Sequence, residues 1–333
     1  MIKLTQNEIL KILLKKKLFL ILLLLLIFVS LFSYGQQFAY ERTVQQFEAE
    51  TGEMDFDWRV LASQRLEDLE SRSDNEFIPE GVRASFDREI QQLSYFIDND
   101  INPITPTAFG FNAEFAEQGI GLFIPLLVVI LAADLVSGEF SKKTAKMLLT
   151  RAVPRWKILL SKYLALLMMT TLLIFMVAVL STLVSFLFFG ELGAGEPVIT
   201  GFSVFEGTLV SDSTILISRF QFSVLVYSLV WFVSVIIASI TLLVSVAVES
   251  SSSAIGILMA SIIGGQFLQF FLADWELVKY FFVTNLDLPS YLTGSYQPVE
   301  GMNLSFSILT LAAWGGLSLL ISFILFNRRD VLV

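Results

Sequence analysis

The chain has 333 residues, of which 55% are hydrophobic and only 16% are charged. Roughly a quarter of the residues of a soluble domain are charged, so this composition indicates a membrane protein. The sequence contains neither histidine nor cysteine, which excludes disulfides, thiol nucleophiles, Cys/His zinc sites and catalytic triads that need an imidazole. The net charge of −9, with basic residues beside apolar segments, also argues against nucleic-acid binding.

Six apolar segments are long enough to cross a bilayer, which takes about 20 residues of helix. They cover residues 18–34, 119–136, 163–189, 222–248, 254–272 and 306–326. The first follows three lysines, as the apolar part of a signal peptide does, but it lacks a small-x-small cleavage pattern. We therefore interpret it as an uncleaved anchor and predict an all-α polytopic membrane protein with six transmembrane helices.

The basic residues predict how these helices are oriented. Fourteen of the 22 Lys and Arg residues lie in residues 1–17, 137–162 and 327–333. The positive-inside rule assigns such segments to the cytoplasm, and an even number of spans puts all three on that side. We therefore expect a multi-pass protein of the plasma membrane, most consistent with a bacterial cell, with both termini in the cytoplasm.

The segment before the first span, residues 1–17, has a helical apolar period. Ile2, Ile9 and Leu13 share one face, while Glu8 and Lys11 point away from it. This pattern predicts an amphipathic helix in the inner membrane interface, with its lysines toward anionic headgroups. A plain charged flank of the anchor is the alternative.

The segments on the opposite side of the membrane are acidic. Residues 36–118 carry 18 acidic residues and no Lys, with apolar residues at helical spacing, which predicts a helical extracytoplasmic insertion. Its carboxylates lack the spacing of a calcium loop, so we assign no metal ligands. Residues 190–221 are predicted to be an outer loop, and the aromatic-rich residues 273–305 a half-inserted element near the outer leaflet. Residues 249–253 form a predicted cytoplasmic hairpin.

Few polar side chains occur within the predicted spans. Asp134 lies near the inner end of the second span, and we interpret it as a boundary residue that reaches water or a loop lysine rather than as a functional group. Gln266 and Gln269 accompany Gly264 and Gly265 in the fifth span. Close helix packing with interhelical hydrogen bonds accounts for them, and they are also candidate residues of a substrate path.

The loop of residues 137–162 has the most specific pattern. Glu139 stands near the start of a predicted short helix, where a carboxylate complements the helix dipole. Leu148 and Leu149 provide an apolar patch, and Pro154 begins the next helix, with Arg155 beside it. Composition alone leaves two interpretations equally open: a generic positively charged inner loop, or a rigid element that transmits force from a soluble partner.

This loop resembles the first cytoplasmic loop of the type-2 ABC exporter permeases, whose pattern reads E…GT…LL…P-V-S-R…IL..K. The matching residues are Glu139, Thr144, Leu148, Leu149, Val153, Arg155, Ile158, Leu159 and Lys162. There are two departures: Lys143 stands where the family has Gly, and Pro154 follows the valine instead of preceding it. The layout of six spans with a basic N-terminus and a semi-apolar outer segment before the last span is also similar.

The resemblance implies a transmembrane permease subunit of an ATP-driven exporter. The residues expected to couple it to a separate ATPase are Glu139, Thr144, Leu148, Leu149, Pro154 and Arg155. Two ATPase subunits and a second permease chain, identical or paralogous, would be its partners in the lipid membrane. ATP–Mg would bind to the ATPase, because this chain lacks a G-x-x-x-x-G-K-[ST] motif. We expect no cofactor in this chain and no enzymatic activity of its own.

Three other interpretations remain at this stage. A membrane sensor or immunity subunit of an ABC-like complex would use the acidic outer segment for recognition. An ion-coupled secondary transporter or channel would need ionisable residues near mid-membrane and often has an internal repeat, whereas this sequence has only Asp134 near a span end. An intramembrane enzyme would need paired Asp residues or a Ser–Lys dyad at depth. The pattern does not select a substrate.

Overall fold

The structure is a computed structural model that describes residues 1–52, 56–74, 80–144, 153–201, 203–205, 208–210, 215–271, 275–294 and 301–328. It is mostly helical. The helices are α1 (Ile2–Leu14), α2 (Lys17–Thr51), α3 (Trp58–Ser73), α4 (Glu80–Asp98), α5 (Ala108–Ile120), α6 (Phe123–Ala132), α7 (Ser137–Ser141), α8 (Arg155–Phe189), α9 (Arg219–Ala247), α10 (Ser251–Phe271) and α11 (Leu304–Arg328). Three short 3₁₀ helices, Glu276–Tyr280, Val283–Asn285 and Pro289–Tyr291, lie between α10 and α11.

Five of the described helices are long and apolar enough to cross a membrane: α2, α8, α9, α10 and α11. Helix α9 is the central one. In its most apolar 18-residue stretch, 67% is buried within the protein, against 22–33% in the corresponding stretches of the other four helices. A side-chain capping box begins it: Ser218 Oγ accepts from the Gln221 N–H, and Gln221 Oε1 accepts from the Ser218 N–H. The outer helices keep much of their apolar surface exposed, as lipid-facing helices do.

The segment predicted as one span over residues 119–136 is instead divided between two helices. Helices α5 and α6 meet at a bend of 67°. The physical reason is Pro125, which has no N–H to donate to the carbonyl of Gly121 and therefore cannot continue the helix across this point. The predicted boundary at residue 118 thus falls inside α5, and the pair forms either a broken span or a re-entrant element.

The helix of the first span continues well beyond the predicted end at residue 34. Helix α2 runs to Thr51 and stops at Gly52, whose left-handed backbone (φ 72°) closes the last turn, with its N–H donating to Glu48 O at 2.9 Å. Helices α3 and α4 then pack against each other. Arg65 and Glu89 form an exposed ion pair between them at 3.0 Å, which contributes little to stability.

Residues 190–221, predicted as a loop in an all-α fold, contain short strands. They are β1 (Pro197–Thr200), β2 (Ser203–Phe205), β3 (Thr208–Val210) and β4 (Ile215–Ser218). Strand β1 pairs antiparallel with β4, and β2 with β3. The fold is therefore mostly, but not entirely, helical, because these segments are rich in β-branched residues and too short to bury a helix face.

Candidate functional site

The loop between α6 and α8 begins with the short helix α7, which ends in a hydrogen-bonded turn. The Thr144 N–H donates to Glu139 O at 2.9 Å, and the Lys143 N–H donates to Phe140 O, also at 2.9 Å. Lys143 has a left-handed backbone, with φ 56°. This pattern of bonds is the Schellman motif, in which the left-handed position is usually glycine because a Cβ atom is strained there.

The side chains of Glu139 and Thr144 contact each other across this turn. Thr144 Oγ1 donates to Glu139 Oε2, and it also lies 3.2 Å from the Glu139 carbonyl oxygen. Burial raises the pKa of the Glu139 carboxyl, but the Thr144 hydroxyl and the ammonium groups of Lys162 and Lys11 outweigh burial and lower the pKa to about 2. Glu139 is therefore ionised throughout the physiological pH range.

Lys162, about two turns into α8, is the charged centre of the site. Its side chain is only 1% exposed, and its ammonium lies 2.6 Å from Glu8 Oε2 and 3.5 Å from Glu139 Oε1. Lys11 lies 3.0 Å from both carboxylates. These four residues, which we call the ion-pair network, join α1, α7 and α8. Each buried charge has a counter-charge, as burial of a charge requires.

Helix α1 therefore turns its charged face toward the protein. Thr5, Glu8 and Ile12 are buried, whereas Ile2 and Leu14 are more than 70% exposed. Ile2 and Leu13 of the predicted apolar face are exposed, but Ile9 of the same face packs partly against the core. The sequence assigns the lysines to headgroups, whereas Lys11 pairs within the protein. An outward apolar face and an inward charged face suit a helix that lies against lipid.

Asp134 lies between the end of α6 and the start of α7. Its two carboxylate oxygens lie 3.0 Å from Lys15 Nζ and 2.9 Å from Lys17 Nζ. These lysines flank the turn between α1 and α2, so the ion pairs fasten the N-terminal segment to the end of α6. A cavity of about 340 Å³ is lined by Asp134 and Lys15 and also by residues of the ion-pair network.

The end of α11 and the turn between α9 and α10 also contact the loop of residues 137–162. Pro154 immediately precedes α8, and Arg155 Nη1 donates to Asn327 O at 3.1 Å, which brings the end of α11 beside the loop. The Ser141 hydroxyl donates to Glu249 O at 2.8 Å, which adds the turn between α9 and α10. The basic segments that the sequence assigns to one side thus meet at one end of the molecule. Leu148 and Leu149 lie outside the described residues.

The two glutamines of α10 are far from this loop in the chain. Gln266 Nε2 donates to Gly121 O at 2.8 Å, which is the carbonyl that Pro125 leaves without a helical donor. The interhelical hydrogen bond expected from the sequence is therefore present at Gln266, and it satisfies the break between α5 and α6. The side chain of Gln269 is outside what the structure describes. Gly265 packs against Val283, since a Cβ atom there would lie 2.5 Å from Val283 Cγ2.

Sequence reasoning missed Glu8 as a site residue and treated Lys162 only as the end of a motif. The signal was present: a single carboxylate in the apolar N-terminal helix, and a lysine within the first turns of a long apolar helix. Both are costly in a membrane unless they are paired. Their pairing across 154 positions of the chain, however, depends on how the helices pack.

These helices and their charged end define a multi-pass membrane protein. A family model described as a protein of unknown function (DUF2705) matches residues 84–332, well over half of the chain, and the chain belongs to this family. It is 26% identical over 286 residues to "Uncharacterized protein YhcI" of Bacillus subtilis (strain 168), which covers 84% of this chain and 86% of that protein. It is 27% identical over 218 residues to "Uncharacterized membrane protein YdbK" of the same organism, covering 64% and 80%.

Proposed function

We propose that this chain is the transmembrane permease subunit of an ATP-driven ABC exporter. In this proposal the end that carries α1, α7 and the ion-pair network faces the cytoplasm, and the loop of residues 137–162 docks on a separate ATPase subunit. Two ATPase chains and two permease chains would form the complex, with residues 36–118 and 190–221 outside and residues 273–305 at the outer leaflet. ATP–Mg would be held by the ATPase.

The observation that carries the proposal is the turn at Lys143. The loop pattern of type-2 ABC permeases has glycine at this position, and here the backbone is left-handed, with φ 56°. Glycine is the residue that such a turn prefers. Lys143 thus has the backbone conformation that glycine prefers, although its residue type departs from the pattern, and the residues at the Glu and Thr positions of the pattern, Glu139 and Thr144, contact each other.

The ion-pair network supports the mechanical part of the proposal. A force on the loop acts directly on Glu139, and Glu139 is linked through Lys162 to α8 and through Lys11 to α1. Because Lys162 is buried and paired at 2.6 Å with Glu8, these three helices are expected to move together. Nucleotide-driven closure of paired ATPases could thus bias the spans between two arrangements.

The decisive experiment is purification of the tagged chain from its native membrane. We expect an ATPase with a phosphate-binding loop to co-purify, and the Leu148→Asp, Leu149→Asp double variant to lower the ATPase-to-permease ratio about tenfold or more, since an unpaired carboxylate would enter an apolar contact. Leu216→Asp is the matched control, because Leu216 is an exposed leucine (63%) of β4, at the other end of α9 from the loop.

The control variant should retain the full ratio of ATPase and the full rate of ATP hydrolysis. The proposal is wrong if no protein with a phosphate-binding loop accompanies the wild-type chain, or if the double variant binds and stimulates the ATPase as the wild type does. The first outcome would favour the ion-coupled secondary transporter or channel, which needs no ATPase.

A further inference from the structure

Two carboxyl groups and one serine hydroxyl connect α5 to the segment between α10 and α11. Ser290 Oγ lies 3.0 Å from Glu117 Oε1 and 2.8 Å from each oxygen of Asp287. Glu117 is in the last turn of α5, and Ser290 is in the 3₁₀ helix Pro289–Tyr291. We call this contact the carboxyl bridge. It lies outside the ion-pair network and plays no part in the proposed docking.

A count of hydrogen atoms shows what the carboxyl bridge requires. A serine hydroxyl has one hydrogen to donate, and an ionised carboxylate has none. If both carboxyls were ionised, Ser290 could donate to only one of them, and the other contact would bring two oxygen lone pairs together. A proton on one carboxyl would remove this conflict, because that carboxyl would donate to Ser290 Oγ while Ser290 donates to the other carboxylate.

The charged and titratable groups around the bridge give it little cationic support. Glu114 lies one turn earlier on α5 and adds negative charge. Tyr291 is next to Asp287 in space. The nearest cation among the described cavity-lining residues is Arg219, which is paired with Glu196 at 2.7 Å. Burial raises the pKa of Asp287 above its ordinary value, although hydrogen bonds from Ser290 oppose this.

Uncharged contacts hold the other sides of the same segment. Gln92 of α4 donates to Thr293 O, Thr200 of β1 donates to Leu292 O at 2.9 Å, and the Tyr291 hydroxyl lies 3.0 Å from Ser307 Oγ of α11. A partly open cavity of about 170 Å³, lined by Glu117, Glu114 and Arg219, reaches the bridge. Water in it can exchange protons with Glu117.

We propose that the Glu117–Ser290–Asp287 bridge is a pH-sensitive switch that holds α5 against residues 276–294 when it contains one proton and releases them when that proton is lost. Loss of the proton leaves two carboxylates on one hydroxyl, and like charges at this distance repel. The contact is complete at acid pH and weakens as the pH rises. Release would free the end of α5 next to its bend with α6. This inference holds whether or not the chain couples to an ATPase.

Hydrogen exchange in lipid nanodiscs between about pH 4 and about pH 9 tests the switch, with rates corrected for intrinsic amide chemistry. The reporters are the hydrogen-bonded N–H groups of Leu286, Tyr291 and Leu292. In the wild type we expect their protection to fall about tenfold or more as the pH rises. In Glu117→Gln, whose amide stays neutral, protection should not depend on pH. Glu114→Gln, at an exposed position on the same helix, keeps both carboxyls of the bridge, so it should retain the fall in protection, with its midpoint at a lower pH because a neighbouring negative charge is removed.

Infrared spectroscopy provides a readout that is independent of stability. The wild type should show the carbonyl band of a buried protonated carboxylic acid that disappears as the pH rises, and both Glu117→Gln and Asp287→Asn should lack it. Protection that is independent of pH in the wild type, or the same titrating band in both of these variants, would overturn the proposal. If Glu117→Gln does not fold, Asp287→Asn, which removes the other carboxyl of the bridge, provides the same hydrogen-exchange test: its protection should not depend on pH.

Discussion

Replacement of Lys162 by methionine tests whether the ion-pair network holds α1, α7 and α8 together. Lys162→Met keeps the length of the side chain but removes the ammonium that lies 2.6 Å from Glu8 Oε2. Removal of one partner of a buried ion pair costs about 3–5 kcal/mol, because the other charge stays buried without compensation. Lys11 still reaches Glu8 and Glu139 at 3.0 Å and is 39% exposed. We therefore expect Lys162→Met to lower the free energy of unfolding by about 3 kcal/mol, the lower end of this range.

The assay is reversible unfolding of the purified protein in detergent micelles, with the free energy of unfolding compared between variants. Glu8→Leu combined with Lys162→Met removes both charges of the closest pair, so the double variant should recover most of the loss. Lys142→Met is the matched control, since Lys142 is exposed in the same loop, and it should change stability by less than about 0.5 kcal/mol. A Lys162→Met variant as stable as this control would refute the reasoning.

Two further predictions concern packing and pH. Gly265→Ala should destabilise the protein by about 1–3 kcal/mol, because its Cβ atom would lie 2.5 Å from Val283 Cγ2 and the short Val283 side chain cannot swing away. Gly264→Ala, with open space around the Cβ position, should lower the free energy of unfolding far less in the same assay. Equal losses in the two variants would argue against the close packing. Because the pKa of Glu139 is lowered from 4.5 to about 2 in the folded protein, its contribution to stability is present above about pH 4.5 and is lost as the pH falls toward 2. The free energy of unfolding, measured across this range, should therefore depend less on pH in Glu139→Gln than in the wild type. An unchanged dependence on pH would contradict the lowered pKa of Glu139.

Hydropathy predicted three of the long helices well, because a span is a property of one continuous stretch of sequence, whereas α2 ends and α8 begins well outside the predicted first and third spans. The predicted ends of the fourth, fifth and sixth spans differ from those of α9, α10 and α11 by at most three residues. The second span was predicted poorly, since Pro125 divides an apolar run that a sliding window treats as uniform. The strands at 197–218 were not predicted, because short strands draw their stability from pairing rather than from composition.

Some features of the candidate site, too, could be predicted from the sequence, and others could not. Charge distribution and the loop pattern identified Glu139, Thr144 and the basic segments from the sequence alone, since topology signals and turn residues are local. The partnership of Glu8 with Lys162, the contact of Glu117 with Ser290 and the use of Gln266 to satisfy Gly121 could only come from the tertiary structure. Each joins residues more than a hundred positions apart, and a buried polar group takes whichever partner the packing of the helices brings within hydrogen-bond distance.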